Sequence, residues 1–158
     1  GAWGQAIGQH IAWVAALGRD GTAHRFEQTE LGCGYRACPT LRDHVVVEVA
    51  FRLTPTDAVR LKSVKRGIAE RRAWMKGLRS AGSIFKNPPG DIAGRLIERA
   101  GLKGRRIGGA LICDRHANVI VTEPDATASD VLALLETARA AVQRQFQVTL
   151  EPEIRMLE

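Results

Sequence analysis

The sequence predicts an α+β chain of two structural units joined by a helix, and three observations carry this reading. A β-prone run, His10–Leu17 ("HIAWVAAL"), meets an Asp20-Gly21 turn and a second extended run, Thr22–Glu27, as the two arms of a hairpin do. A strongly charged helical stretch follows Pro55-Thr56-Asp57. Beyond Thr127-x-x-Asp130, the apolar residues Val131, Leu134, Leu135, Ala138, Val142 and Phe146 recur at helical spacing.

After the hairpin comes an irregular stretch bearing glycine and cysteine, "LGCGYRACP", and then a strand, "HVVVEVAFRL", that ends at Leu53. Asp57 or Thr56 caps the next helix, whose Leu61, Val64, Ile68 and Met75 fall near one face. Lys62, Lys65, Arg66, Arg71 and Arg72 crowd the rest of it as a solvated surface. Gly67 weakens its middle by about 1 kcal/mol relative to alanine, so a bend or fraying is expected there. A loop, "SAGSIFKNPPG", leads to a short helix, Ile92–Ala100, with Asp91 as its cap and Gly101 as its stop. "GLKGRRIGG" turns into a strand near Ala110–Cys113, "DRHAN" turns again, and "VIVT" makes a further strand. Thr127 and Asp130 form a capping box with Asp in place of Glu or Gln. An extended segment, "VTLEPEIRML", closes the chain. The units are expected at residues 1–54 and 78–158, with the connecting helix over 55–77.

Composition narrows the function classes. The chain has 158 residues, 45% of them hydrophobic and 25% charged, enough to bury a core without staples. No apolar run is long enough to cross a bilayer, so no membrane insertion is expected. Cys33, Cys38 and Cys113 are an odd count without a C-x-x-C pair, which argues against a disulfide framework or zinc site and for a reduced, cytoplasmic chain. The formal net charge of +6 would attract nucleic acid, an acidic membrane surface or a small polyanion. Aromatics are only 5% and no RRM, KH or zinc pattern occurs, so a nucleic-acid-binding module is the weaker alternative and no nucleic-acid partner is expected. There is no G-x-G-x-x-G, and "GLKGRR" lacks the spacing and ending of a P-loop. His10, His24, His44 and His116 are scattered rather than clustered as metal ligands.

Three polar residues stand out. Ser83 follows Gly82, which allows close backbone approach to a ligand, and precedes Lys86 and Asn87. Arg36 sits in an irregular connection between two strands, and Glu153 is held by Pro152 beside the terminal extended segment. Singly, each has an ordinary reading: a turn serine, a surface arginine stacked on tyrosine, a solvated glutamate.

Together, "SAGSIFKNPPGDIAGRLIERAGLKGRRIGGA", "HAN" and the closing "LEPEIR" resemble the carboxy-terminal part of the UDP-N-acetylenolpyruvoylglucosamine reductase (MurB) family of flavoenzymes in peptidoglycan synthesis. Upstream, "GAWG" looks like the end of the family's Asn-Ala-Gly-Ala-Tyr-Gly segment, and "CGYRACP" like its Gly-Tyr-Arg-x-Ser element. The likeness covers essentially the whole chain, in the family's order and in its compact subtype. It implies a proton-donating Ser83, an active-site Arg36 and an active-site Glu153, with Lys86 and Asn87 close to substrate. It also implies cofactor contacts at Gly1, Ala2 and Gly4. FAD and NADPH are the implied cofactors, and UDP-N-acetylglucosamine enolpyruvate is the implied substrate.

On this likeness residues 1–54 are the remnant of a FAD-binding domain, and 78–158 are a small α+β substrate-binding domain. The chain, beginning at Gly1, is expected to be the second half of a larger enzyme, lacking the amino-terminal segment whose glycine-rich loops hold much of the flavin. A catalytically inactive UDP-sugar-binding fragment is therefore a second reading. Cys38 stands where the family usually has serine, Trp3 where it has tyrosine, and "KGLRSAGS" replaces a proline-containing lead-in.

Overall fold

In the computed structural model, which describes residues 4–155, the chain divides into two units between Gly67 and Ile68, inside a helix. The first unit is a three-stranded antiparallel sheet in the order β2-β1-β3, with β1 at Ile11–Gly18, β2 at Ala23–Glu27 and β3 at His44–Phe51. The β1–β2 hairpin turns as its residue types require. Gly21 takes φ +82, and the Asp20 carboxylate accepts bonds from the Thr22 N–H (3.0 Å) and hydroxyl (2.8 Å). Those bonds hold the Asp20 carboxyl below its usual range. Strand β1 buries Ile11, Val14 and Ala16 rather than alternate residues throughout. The irregularity follows from a register shift against β3 between Ile11 and Trp13, where an extra residue resets which side chains face inward. Leu31 completes a small core, with Phe26, Cys38, Leu41 and Val49 partly buried against it. Val45, Val46 and Val47 of β3 are 44–68% exposed.

Helix α1, Ala58–Arg72, begins where expected, and Asp57 is its cap: its Oδ1 accepts from the Val59 N–H (2.7 Å) and the Arg60 N–H (3.1 Å). Its expected apolar face is not a buried one. No residue of α1 is buried, and Leu61 and Val64 are about half exposed. These positions make a strip one side chain wide, narrower than the apolar face of a core-facing helix. The helix runs through Gly67 without interruption, and no atom lies within 4 Å of the place a Cβ would occupy there. Gly67→Ala should therefore raise helicity by circular dichroism and stabilise the chain by about 0.5–1 kcal/mol in urea unfolding.

The second unit contains α2 (Ala93–Arg99), a second antiparallel sheet of β4 (Arg106–Ile107), β5 (Ala110–Ile112) and β6 (Ile120–Thr122) in sequential order, and α3 (Ala128–Phe146). Its core joins Ile84, Phe85, Leu96, Ile97, Ile112, Leu134, Val142 and Leu150, all at most 2% exposed. Helix α2 ends as Gly101 predicts. Gly101 takes φ +75 and donates to the Glu98 carbonyl, Leu102 donates to the Ile97 carbonyl, and Leu102 packs against the core that Ile97 enters. Its start differs from expectation. Asp91 binds the Ile92 N–H and the Arg95 guanidinium, while Asn87 Oδ1 accepts the bond from Ala93 N–H at the first helical turn (3.0 Å).

Strand β4, too short for a sequence pattern, pairs with β5 through Gly108-Gly109. A Cβ at Gly109 would lie 2.7 Å from the Ala126 backbone, and one at Gly108 2.4 Å from the Asp130 carboxylate, so the turn presses directly on the start of α3. That start is the expected capping box, with Thr127 Oγ1 accepting from Asp130 N–H and Asp130 Oδ2 from Thr127 N–H. Leu134, Leu135, Ala138 and Val142 are buried as their spacing predicts, and Ala141 joins them. Gln147 ends the helix in the left-handed conformation, φ +58. The fold is α+β, with two small antiparallel sheets and three helices among the described residues.

Candidate active site

The loop "SAGSIFKNPPG" becomes, over Ser83–Lys86, an extended segment held on both sides within the second unit. On one side Ser83 forms an antiparallel bridge with Val119, and Ile84 N–H donates to the Asn118 carbonyl (3.0 Å). On the other, Phe85 bridges Pro152, Lys86 N–H donates to the Glu151 carbonyl (2.9 Å), and Glu153 N–H donates to the Ile84 carbonyl (2.8 Å). Ile84 and Phe85 anchor the segment, each 1% exposed. Gly82, at φ +84, supplies the turn that enters it, closed by a bond from Gly82 N–H to Ser80 Oγ.

The decisive support is Asn118, 4% exposed in the core. Its Oδ1 accepts from Phe85 N–H (2.9 Å) and its Nδ2 donates to Phe85 O (2.8 Å), so one amide satisfies both backbone groups of a buried residue. Sequence reasoning gave Asn118 no role. Its only signal is an asparagine between an alanine and the β-prone run "VIVT", where a polar side chain has to find partners if buried.

Ser83 itself is half-buried, and its hydroxyl makes no hydrogen bond among the described residues. Glu153 is half-buried on the neighbouring segment, so two of the three expected catalytic residues share one patch of backbone. Lys86 is ion-paired with Glu151, a residue the sequence did not single out. Asn87 is exposed, with its Oδ1 committed to the start of α2. A shallow cleft of about 230 Å³ opens beside this segment, bounded by Arg79, Ser80, Ala81, Ile84, Ile120 and Ile154. Ser83 does not line it, and it falls below the roughly 300–1,000 Å³ of small-molecule pockets, so it is not by itself a nucleotide-sugar site.

Arg36 belongs to the first unit. It occupies the tip of a turn whose flanking residues, Gly34 and Ala37, bridge antiparallel. Its backbone is left-handed, φ +55, an uncommon state for arginine, and its guanidinium lies 5.2 Å from the Tyr35 ring centroid. Gly4 is also left-handed, φ +76, with open space around it, whereas Gly1 and Ala2 lie outside the described residues, as does Trp3. No group of three or more potential metal-ligating side chains occurs among the described residues, and no helix there is long and apolar enough to cross a membrane.

Residues 73–157 match the family model described as UDP-N-acetylenolpyruvoylglucosamine reductase, C-terminal domain. A UDP-N-acetylenolpyruvoylglucosamine reductase 2 of Symbiobacterium thermophilum is 42% identical over 99% of this chain and 52% of its own length. A UDP-N-acetylenolpyruvoylglucosamine reductase of Moorella thermoacetica is 40% identical over 94% of this chain and 50% of its own. The crystal structure of the reductase from Thermus caldophilus superposes with a TM-score of 0.79 at 34% identity, over 94% of this chain and 53% of that one. The chain thus spans about half the length of the relatives it matches.

Proposed function

Because this chain belongs to the UDP-N-acetylenolpyruvoylglucosamine reductase family, matching its carboxy-terminal half, we propose that it is the substrate-handling half of a peptidoglycan-synthesis reductase. The reaction is the NADPH- and FAD-dependent reduction of UDP-N-acetylglucosamine enolpyruvate to UDP-N-acetylmuramate. The observation that carries the reading is the Ser83–Lys86 segment, fixed from both sides while the Ser83 hydroxyl stays uncommitted.

FAD, when bound, would supply the hydride, with NADPH as the source of reducing equivalents. Of the expected cofactor contacts, Gly4 alone lies among the described residues, and one open glycine is too little to hold a flavin. Flavin binding would then fall mainly to the half of the relatives that this chain does not span.

The residues of this chain suit the other half of the chemistry. Addition of hydride to the terminal methylene carbon leaves negative charge on the carbon beside the carboxylate and on its enolate oxygens. That charge needs a fixed donor, and the adjacent carbon needs a proton. Arg36 meets the first need with a planar cation that does not lose its proton. Ser83 meets the second: a serine is a weak acid in water but adequate against a strongly basic carbanion in a site from which water is excluded. Glu153 polarises a donor or assists the proton transfer. Lys86 and Asn87 are assigned to substrate, and the +6 surplus suits a nucleotide sugar carrying diphosphate and carboxylate. Three cysteines, an odd count without a C-x-x-C pair, suit a reducing cytoplasm.

Fusing the amino-terminal half of the Symbiobacterium relative ahead of this chain tests the reading. The fusion should be yellow, and should oxidise NADPH only when the enolpyruvyl substrate is added. The 158-residue chain alone should stay colourless yet give saturable NMR shifts with UDP-N-acetylglucosamine at residues of about 80–120. A flavin-loaded fusion that binds the nucleotide sugar without turnover would leave the inactive-fragment reading instead.

A further inference from the structure

The turn that carries Arg36 is closed by a single antiparallel bridge, Gly34 to Ala37. Gly34 N–H donates to the Ala37 carbonyl (2.8 Å), and Ala37 N–H donates back to the Gly34 carbonyl (3.4 Å). In an antiparallel ladder a pair that exchanges both bonds is followed outward by a pair that exchanges none, where Cα atoms come within about 4.5 Å and side chains are closest. Here that outward pair is Cys33 and Cys38, and their sulfurs are 2.8 Å apart. A disulfide needs Cα atoms about 4.4–6.8 Å apart with converging Cβ vectors, which is what this register provides. Gly8 closes the arrangement from behind, since a Cβ there would sit 3.0 Å from the Cys33 Cβ. Cys38 Sγ donates to the Leu31 carbonyl (3.3 Å), leaving the hydrogen between the two sulfurs to Cys33. Cys33 is exposed and Cys38 half-buried, so an oxidant can reach the pair, whereas Cys113 is buried in the other unit.

We propose that Cys33 and Cys38 form a redox-modifiable thiol pair that closes into an intrachain disulfide across the base of the Arg36 turn. With a peroxide as oxidant, one thiolate attacks a peroxide oxygen. The O–O bond breaks, hydroxide leaves and takes a proton, and the attacking sulfur becomes a sulfenic acid. The second sulfur then forms the S–S bond and displaces the sulfenic oxygen as water. Two thiols lose two electrons and two protons, and one peroxide becomes two waters. A dithiol reductant reverses the bridge by exchange through a mixed disulfide. Partial loss of water around the sulfur, then the hydrogen bond to Cys38, pushes the Cys33 thiol up to about 11, although the residue as a whole is exposed. Thiolate is therefore scarce at neutral pH, and closure should quicken as pH rises. The closed ring would fix the backbone from Cys33 to Cys38, including the left-handed Arg36.

The test is made on the 158-residue chain and does not depend on reductase activity. The native chain is exposed to hydrogen peroxide, unfolded, alkylated with N-ethylmaleimide and weighed. The expected product is a monomer lighter by about 2 Da before alkylation, with one labelled cysteine, Cys113, and a Cys33–Cys38 bridged peptide that a phosphine reductant opens. Cys33→Ser and Cys38→Ser should each abolish that mass loss and leave the remaining thiol to accumulate oxygen adducts. Three labelled cysteines after peroxide, a bridge to Cys113, or a disulfide joining two chains would each overturn the proposal.

Discussion

Asn118→Leu should destabilise the second unit by about 2–5 kcal/mol. The substitution keeps roughly the same volume but strips Phe85 of the partners for both its N–H and its C=O. Phe85 is 1% exposed, so water cannot replace those partners without opening the core, and each buried backbone group left unpaired costs about 1–3 kcal/mol. In urea unfolding this appears as a midpoint lowered by roughly 1–2.5 M for an m-value of about 2 kcal/mol/M. A loss below about 1 kcal/mol would mean that the extended segment finds other partners. In that case the two-sided grip on Ser83 would not be what fixes the serine.

Ser83→Ala should behave in the opposite way, with little change in stability and a large change in one chemical step. Its hydroxyl has no partner among the described residues, so its removal should stay within about 0.5 kcal/mol in unfolding. In the flavin-bearing fusion, reduction by NADPH should proceed at the parent rate. The half-reaction with the enolpyruvyl substrate should slow by roughly a hundredfold or more, the usual scale for loss of a general acid. Rapid-reaction absorbance at the flavin band separates the two. Equal losses in both half-reactions would remove Ser83 from the role of proton donor.

What the sequence made legible follows from where its information is local. The hairpin at Asp20-Gly21, the Asp57 cap, the Gly101 stop and the Thr127–Asp130 box each depend on residues within a few positions, and each forms as read. Apolar spacing located the buried face of α3 because that face is broad, whereas the apolar strip of α1 stays exposed because a strip one side chain wide is not a core-facing side. Strand β4 was missed because two residues have no period. The candidate site was legible as a set of residue types through family likeness. Its support was not, because Asn118 and residues 151–153 reach the serine segment from far along the chain. The Cys33–Cys38 contact was hidden for a related reason: it follows from the register around Gly34 and Ala37, which spacing alone does not reveal.

The two-sided grip on the serine segment also has a consequence for synthesis on the ribosome. Phe85 waits for Asn118, 33 residues later, and Lys86 for Glu151, 65 residues later. At about 5–20 residues per second, the Ser83 segment would emerge several seconds before its second flank exists. Until Glu151–Glu153 leave the exit tunnel, one edge of that segment has no backbone partner from this flank. A nascent chain stalled before Leu150 would therefore present Ser83 on a strand paired along the Asn118–Val119 side alone, and emergence of Glu151–Glu153 would complete the second side.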